Sequence, residues 1–376
     1  MKGSPLPRPT THRSARSLSA GVAACAVALA LASSAAPALA GPGAPPAGSG
    51  AALLPPAAPG TAGPAGPQDH HLPGVPGTRP AAQQAAVTAT WATIPAYPTR
   101  IEDNVVGNDG GTLYSVAGYA GTSRTSAMYS YTPGGAWKPR ASIPVSTVNG
   151  SGAFMGGRFY VTDGWGPDGS PSAALNVYDP GTDTWTAGAS TPAPVAAAGT
   201  AVLDGALYTV GGCTGTGCTT TNAVSAYDSA TGTWSRKASY PVKAAYVACA
   251  GLAGRVYCAG GNTGTSQLTS TYAYEPGRDK WSSVAALPED LSASGYAAVG
   301  GRLYVQGGFA GNGLTVTDRG YAYDPATDTW STLPAAVAPA ARGGSASGGS
   351  AFYVIGGRPT LDPATIGNTS QVLTTG

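Results

Sequence analysis

Two different residue markers recur along this chain with the same period of 46 to 49 residues. A glycine that ends a Tyr-x-x-x-Gly pattern stands at positions 118, 164, 212, 261, 308 and 357. Tryptophans stand at positions 91, 137, 185, 234, 281 and 330, and their successive spacings are the same: 46, 48, 49, 47 and 49 residues. Because two independent markers share one period, the sequence predicts an array of six structural repeats.

Each repeat contains the signals of two β-hairpins, which predict four antiparallel strands, a to d. The second hairpin is clearest in Tyr178 to Trp185 and Tyr323 to Trp330, where Asp-Pro opens a turn and Thr-x-Thr-Trp enters the next strand. The first hairpin has a two-residue turn just before the repeat tyrosine, and most of these turns contain glycine, which readily adopts the positive φ that tight hairpins need. The six turns are Gly110-Gly111, Gly156-Gly157, Asp204-Gly205, Ala253-Gly254, Gly300-Gly301 and Gly349-Ser350.

Six such sheets can bury their faces by packing around a common axis, which is the β-propeller arrangement. At this point residues 87–376 resemble the kelch family, on the double glycine, the tyrosine and the tryptophan at fixed spacing. Two repeats depart mildly from that motif, with Ala117-Gly118 and Asp163-Gly164 in place of the double glycine. The resemblance implies an all-β fold, a six-bladed kelch-type β-propeller.

The two ends of the array predict how the ring closes. The last repeat reaches Gly376 soon after Val372, without a strand d or a tryptophan, whereas Trp91 precedes the first repeat glycine. We therefore expect Thr88 to Ile94 to supply strand d of the last blade, so that the N-terminal strand closes the ring and no sheet edge stays open there.

Residues 1–40 have the pattern of a secretion signal peptide. Basic residues precede an apolar run at 20–32, which is short for a membrane span, and Ala38-Leu39-Ala40 fits a cleavage site. A lipoprotein anchored through Cys25 is the alternative, although Cys25 lies within the apolar run. Residues 41–86 are rich in Pro, Ala and Gly and contain His70 and His71, and we predict a disordered linker. The chain is therefore predicted to be secreted, with no membrane span.

Charge and composition exclude several classes of function. Without the four basic residues of the leader, 16 Lys and Arg remain against 18 Asp and Glu, which is no basic footprint for nucleic acid. Residues 87–376 contain no histidine, so that neither a Ser-His-Asp triad nor the copper site of galactose oxidase, a kelch enzyme, can form there. We predict a monomer with no cofactor and no metal site, and we assign no catalytic residue.

Four cysteines follow the leader, and an even number in an exported chain favours disulfides. Cys249 and Cys258 lie directly opposite each other across the turn Ala253-Gly254, and the short Cα separation of such a pair suits a bridge. Cys213 and Cys218 are then left to close a small loop. A metal site made of the four thiolates is the alternative, without support from a Cys-x-x-Cys pair.

Candidate binding residues lie on the connections between strands b and c and between strands d and a, which share one face of a propeller. On this loop face we expect Trp165, Tyr119, Phe309 and Tyr246 to form an aromatic platform for a sugar ring or a peptide; their packing of the loops onto the blades is the alternative. Arg100, Glu102, Asp103 and Arg342 are expected to cluster near the mouth of the channel. They could bind an acidic sugar or act as acid and base, or they could form a plain salt bridge.

These features predict a secreted, non-catalytic module that binds a glycan or an extracellular protein through the loop face. A metal-free sugar-modifying enzyme such as an epimerase is the alternative, by fold-level analogy with six-bladed kelch proteins that act on sialic acid. A structural or adhesion protein is the third possibility, and a polar face without exposed aromatic residues would favour it.

Overall fold

The computed structural model describes residues 83–84 and 89–375. The predicted signal peptide and all of the predicted linker except Gln83 and Gln84 lie outside the described residues. The first two strands are β1 (Gln83–Gln84) and β2 (Ala89–Ile94). The strands that follow form six antiparallel blades, in which the first strand of each repeat is innermost.

Blades 1 to 3 each contain four strands, which follow one another from the axis outwards. Blade 1 contains β3 (Val105–Asp109), β4 (Thr112–Val116), β5 (Met128–Tyr131) and β6 (Lys138–Arg140). Blade 2 contains β7 (Ser151–Met155), β8 (Arg158–Thr162), β9 (Leu175–Asp179) and β10 (Thr184–Ala187). Blade 3 contains β11 (Gly199–Leu203), β12 (Ala206–Val210), β15 (Val224–Asp228) and β16 (Thr233–Arg236), with the small hairpin β13 (Cys213–Thr214) and β14 (Thr219–Thr220) in its b–c loop.

Blades 4 to 6 repeat this order. Blade 4 contains β17 (Ala248–Leu252), β18 (Arg255–Ala259), β19 (Thr271–Glu275) and β20 (Lys280–Val284). Blade 5 contains β21 (Gly295–Val299), β22 (Arg302–Gln306), β25 (Gly320–Asp324) and β26 (Thr329–Leu333), with the hairpin β23 (Phe309–Ala310) and β24 (Thr315–Val316). Blade 6 contains β27 (Gly344–Gly348), β28 (Ala351–Ile355), β29 (Ser370–Thr375) and β2. Two short 3₁₀ turns span Pro276–Arg278 and Pro363–Thr365.

The ring closes as the sequence predicts. Strand β2 pairs antiparallel with β29, and Trp91 lies opposite Leu373. Each innermost strand contacts the innermost strand of the next blade, from β3 around to β27 and back to β3. Strand β1 adds an element that the sequence did not predict, because it pairs in parallel with β26 and extends blade 5 to five strands.

The six predicted a–b turns occupy the expected positions. The flanking residues pair directly, as Leu203 does with Ala206 across Asp204-Gly205. Both residues of that turn have positive φ, 50° at Asp204 and 76° at Gly205, which is the backbone of a type I′ hairpin.

The repeat tryptophans join neighbouring blades. In blades 2 to 5 each tryptophan lies opposite the strand-c tyrosine, as Trp185 does with Tyr178, with ring centroids 5.1 Å apart. In all six blades the indole N–H donates to a backbone carbonyl outside its own blade, for example from Trp185 to Ala141 at 2.8 Å. The tryptophan that marks each repeat therefore also holds its blade against a neighbouring blade.

Both predicted disulfides are present. Cys249 and Cys258 are directly opposed in β17 and β18, with their Cα atoms 4.2 Å apart. Cys213 and Cys218 close the hairpin of blade 3, with a Cα separation of 4.5 Å. Among the described residues, no group of His, Cys, Asp and Glu could hold a metal ion. The described part of the chain also contains no helix long and apolar enough to cross a membrane.

Candidate functional site at the axial ring

A closed ring of backbone hydrogen bonds surrounds the axis on the loop face. Six residues, one just before each inner strand, donate an N–H to the carbonyl of the equivalent residue in the preceding blade, at 2.7 to 3.4 Å. All six have φ between 54° and 64°, a region of backbone conformation that residues other than glycine rarely adopt. We call these residues the axial ring: Asp103, Asn149, Ala197, Tyr246, Ala293 and Arg342.

Three side chains of the axial ring meet over the channel. The Arg342 guanidinium forms an ion pair with Asp103 of blade 1. The same guanidinium donates to the Tyr246 hydroxyl at 3.2 Å and lies 5.6 Å from the centre of that ring. Because Tyr246 belongs to blade 4, opposite blade 1, these three side chains close the channel from three sides.

A second ion pair lies next to the first. Arg358 donates to both carboxylate oxygens of Glu102, at 2.7 and 2.8 Å, and the Arg358 side chain is only 1% exposed. Glu102 also lies 3.7 Å from the Arg342 Nε atom. Two arginines thus balance two carboxylates in a buried cluster, where a bidentate pair fixes geometry as well as charge.

Burial changes the proton affinities in this cluster. It raises the pKa of Asp103 to about 6, although the Arg342 guanidinium opposes that change. Burial alone would lower the pKa of Arg342, but the carboxylate of Asp103 and the phenol of Tyr246 raise it above the ordinary value. Asp103 and Arg342 are therefore charged and paired with each other at neutral pH.

The structure brings together three of the four predicted charged residues. Glu102, Asp103 and Arg342 lie in one cluster, but Arg100 is exposed. The sequence interpretation missed that Arg358 pairs with Glu102. Arg358 is the only charged residue among the six that follow the double glycines. This difference was the signal in the sequence that could have identified Arg358 as a site residue.

The predicted aromatic residues do cluster, but they do not form an exposed platform. Trp165 is 2% exposed and packs with Tyr119, Tyr246 and the Cys213–Cys218 hairpin. Phe309 is 6% exposed and packs against the other side of Tyr246. Because these rings are covered, they hold the loops together, which was the alternative interpretation. Their predicted role in ligand binding stays a prediction.

The axial ring lies at one end of a cavity that runs along the axis. The cavity has a volume of about 320 Å³ and is lined by residues of all six inner strands. Its only charged lining residues are Asp103 and Arg342, which pair with each other. The charges that line the cavity are therefore already paired within the protein.

Comparison with known proteins supports the fold. The family model described as Kelch motif matches residues 194–239, 243–288 and 291–335, which correspond to blades 3, 4 and 5. Beta-scruin of Limulus polyphemus is 32% identical over 78 residues, which are 21% of this chain and 8% of beta-scruin. The chain thus matches only a small part of the length of that curated relative.

A solved structure, that of YjhT, has the same architecture. The two structures superpose with a TM-score of 0.64 at 17% sequence identity. The aligned region covers 74% of this chain and 96% of YjhT. At that identity the likeness shows the fold alone. The repeated motifs, the three motif matches and the six blades together show a six-bladed β-propeller that contains kelch motifs.

Proposed function

We propose that this protein is an extracellular binding module that recognises another protein through the loop face of blades 5 and 6. One observation carries the proposal. Among the described residues, the large apolar side chains that are exposed are Leu314, Val337 and Leu361, and all three lie on loop-face connections of these two blades. A protein interface on this face would remove these side chains from contact with water, which is favourable.

Two of these three apolar side chains, Leu314 and Val337, lie on backbone that neighbouring groups hold in place. Asp290 accepts a hydrogen bond from the Gly311 N–H, at 2.9 Å, and so fixes the hairpin that carries Leu314. Gln371 bonds both backbone groups of Ala338, next to Val337. Because these backbone segments are already ordered, they lose little further conformational entropy when a partner binds.

Export is part of this proposal. The leader pattern of residues 1–40 and the two disulfides support it, since disulfides persist mainly outside the cytosol. The glycan that the sequence suggested as an alternative ligand has less support on this face, because Trp165 and Phe309 are covered.

The test compares capture of proteins from the producing culture's medium and cell envelope by three forms of the chain. The wild type and the control Ala230→Lys, which changes an exposed residue on the opposite face, should enrich the same proteins. Leu314→Lys combined with Leu361→Lys should lose them, and the partner so identified should bind the purified wild type saturably. Equal enrichment by all three forms, or no partner that binds as a purified protein, would refute the proposal.

A metal-free sugar-modifying enzyme is the second candidate. The meeting of Glu102, Asp103 and Arg342 beside a cavity favours it, as does the raised pKa of Asp103. The burial of both carboxylates opposes it, because a substrate cannot reach them while the ion pairs hold. Proton-exchange or epimerisation of free sugars followed by NMR, with Asp103→Asn as the comparison, decides it: turnover that the variant lacks would favour the enzyme.

A further inference from the structure

The axial cavity changes in exposure from one end to the other. At the axial ring, five of the six residues are buried and Tyr246 is half-buried. Five positions further along each inner strand, all six cavity-lining residues are half-exposed: Asn108, Phe154, Val202, Gly251, Ala298 and Ser347. Because each inner strand runs from the loop face to its a–b turn, exposure increases towards the face that carries the a–b turns.

The closed end is closed by side chains that reach across the axis. Arg342 of blade 6 contacts Asp103 of blade 1 and Tyr246 of blade 4, and the loops above them bury Trp165 and Phe309. A molecule entering from the loop face would have to break a buried ion pair, which is costly. Entry from the turn face requires no such break.

The walls between the two ends are neutral and carry hydroxyl groups. Thr200 and Ser347 line the cavity and are half-exposed, whereas the Ser345 hydroxyl is already bonded to the backbone of Tyr296. Tyr296 of blade 5 reaches towards blade 3, where its hydroxyl accepts the Thr200 N–H at 2.9 Å. The half-exposed ring of Phe154 adds an apolar surface, held by stacking on Phe159 at 4.8 Å.

We propose that this cavity is a binding site, entered from the a–b turn face, for a neutral polyhydroxylated molecule of monosaccharide size. Hydroxyl groups and the inner edges of the strands offer donors and acceptors to a ligand rich in hydroxyls. The aromatic ring suits the C–H face of such a ligand. The volume of about 320 Å³ lies at the small end of ligand sites, near 300 to 1,000 Å³, which excludes an oligosaccharide lying wholly inside.

This site is separate from the protein interface proposed above, and its chemistry differs. The lining of the turn end carries no charged side chain, which suits a neutral ligand better than an ion. The loop face, in contrast, exposes the apolar side chains of Leu314, Val337 and Leu361. The two sites can therefore be tested independently on one chain.

The test is a titration of the full chain with D-glucose, D-galactose, N-acetyl-D-glucosamine and myo-inositol, followed by saturation-transfer NMR. We expect saturable binding of at least one of them. Thr200→Val keeps the backbone N–H but removes the hydroxyl, and we expect it to weaken binding about tenfold. Ser347→Leu and, separately, Ala298→Leu narrow the turn end, and we expect each to abolish binding.

The control is Leu314→Lys, which changes the loop face and should leave the sugar affinity at the wild-type value. Circular dichroism and thermal unfolding identify any variant that does not fold, and Thr200→Val keeps the test valid if both filling variants fail. The proposal is overturned if no probe binds the folded wild type. It is also overturned if binding survives Thr200→Val and the folded filling variants, or if Leu314→Lys removes it.

Discussion

At the scale of single residues, the fold tolerates side chains in positions where the repeat prefers glycine. Asp163 takes the place of the first glycine of its pair, with φ of 60°, and it is buried. Its carboxylate accepts only a long hydrogen bond from the Val195 N–H, 3.3 Å. The effect of burial therefore outweighs that of this hydrogen bond, and it raises the pKa of Asp163 to about 8.

This residue predicts a pH dependence of stability. Between about pH 4 and pH 8 the native state keeps a proton on Asp163 that the unfolded state has released. The free energy of unfolding therefore falls as the pH rises through this range, by up to about 1.4 kcal/mol per pH unit, and levels off above it. Asp163→Asn should remove this loss, so that the variant gains stability over the wild type from pH 5 to pH 9 in urea unfolding.

The control for that series is Asp204→Asn, which removes an exposed carboxylate from a turn residue that also has positive φ. A stability difference between Asp163→Asn and the wild type that stays constant across the pH series would show that the buried carboxylate is ionised throughout.

The buried pair of Glu102 and Arg358 predicts a second effect. Glu102→Ala leaves the Arg358 guanidinium without a partner in the interior, and we expect the free energy of unfolding to fall by about 3 to 5 kcal/mol. Replacing both residues by leucine removes both charges, and most of that loss should be recovered. Urea unfolding of the single and double variants measures this, and a double variant as unstable as Glu102→Ala would contradict it.

At the scale of elements, the c–d turn joins each blade to its neighbour in three of the six blades. In blade 2 the Asp183 carboxylate accepts from the Ala141 N–H at 3.0 Å and from the Tyr178 hydroxyl at 2.6 Å. Asp279 and Asp328 make the same two contacts in blades 4 and 5. These three carboxylates thus connect neighbouring blades, and we call them inter-blade staples.

Blade 3 lacks this staple, because Gly232 stands at the equivalent position with φ of 70°. A Cβ atom there would lie 3.9 Å from the Tyr227 hydroxyl, so that an aspartate has room. We expect Gly232→Asp to raise the free energy of unfolding by about 1 kcal/mol and Asp183→Gly to lower it by about 1 to 3 kcal/mol. Thermal unfolding of the two single variants measures both, and destabilisation by Gly232→Asp would show that its backbone cost outweighs the staple.

At the scale of the whole molecule, closure of the ring depends on one short N-terminal strand. β2 brings Trp91 into blade 6, where it is buried and bonds to the Pro334 carbonyl at 3.0 Å. A chain that begins at residue 95 should lose about 3 to 5 kcal/mol or more, the usual cost of removing a buried tryptophan. A chain that begins at residue 87 also lacks β1 but keeps β2, so the difference in stability between the two shortened chains measures the contribution of β2.

The same pair of chains gives a direct control for this prediction. Adding a peptide of residues 87–94 to the shortened chain should raise its thermal unfolding temperature, and the increase should grow with the logarithm of the peptide concentration. If the shortened chain unfolds at the temperature of the longer one, β2 does not stabilise the ring.

The propeller also separates its two faces. The loop face exposes Leu314, Val337 and Leu361 above a closed axial ring, whereas the turn face leads into a neutral, hydroxyl-lined cavity. Two kinds of partner can therefore bind without competing for one surface. The proposed protein interface and the proposed polyol site each follow from this separation.

The sequence by itself determined the number of blades, the six a–b turns, both disulfides and the strand that closes the ring. These features depend on spacing within a repeat or between repeats, and spacing is written along the chain. Turn glycines need positive φ wherever they stand, and opposed cysteines follow from the turn position. The predicted closing strand, Thr88 to Ile94, agrees with β2 (Ala89–Ile94) at every residue that the structure describes.

Only the tertiary structure decided the candidate sites. Glu102 and Arg358 are separated by 256 residues, yet they form a bidentate pair, and no spacing rule connects them. The burial of Trp165 and the closed end of the cavity likewise depend on how loops from different blades fold over one another. Repeat spacing sets where each loop begins, but the exposure of its side chains is set by neighbours from other blades, which the local pattern does not encode.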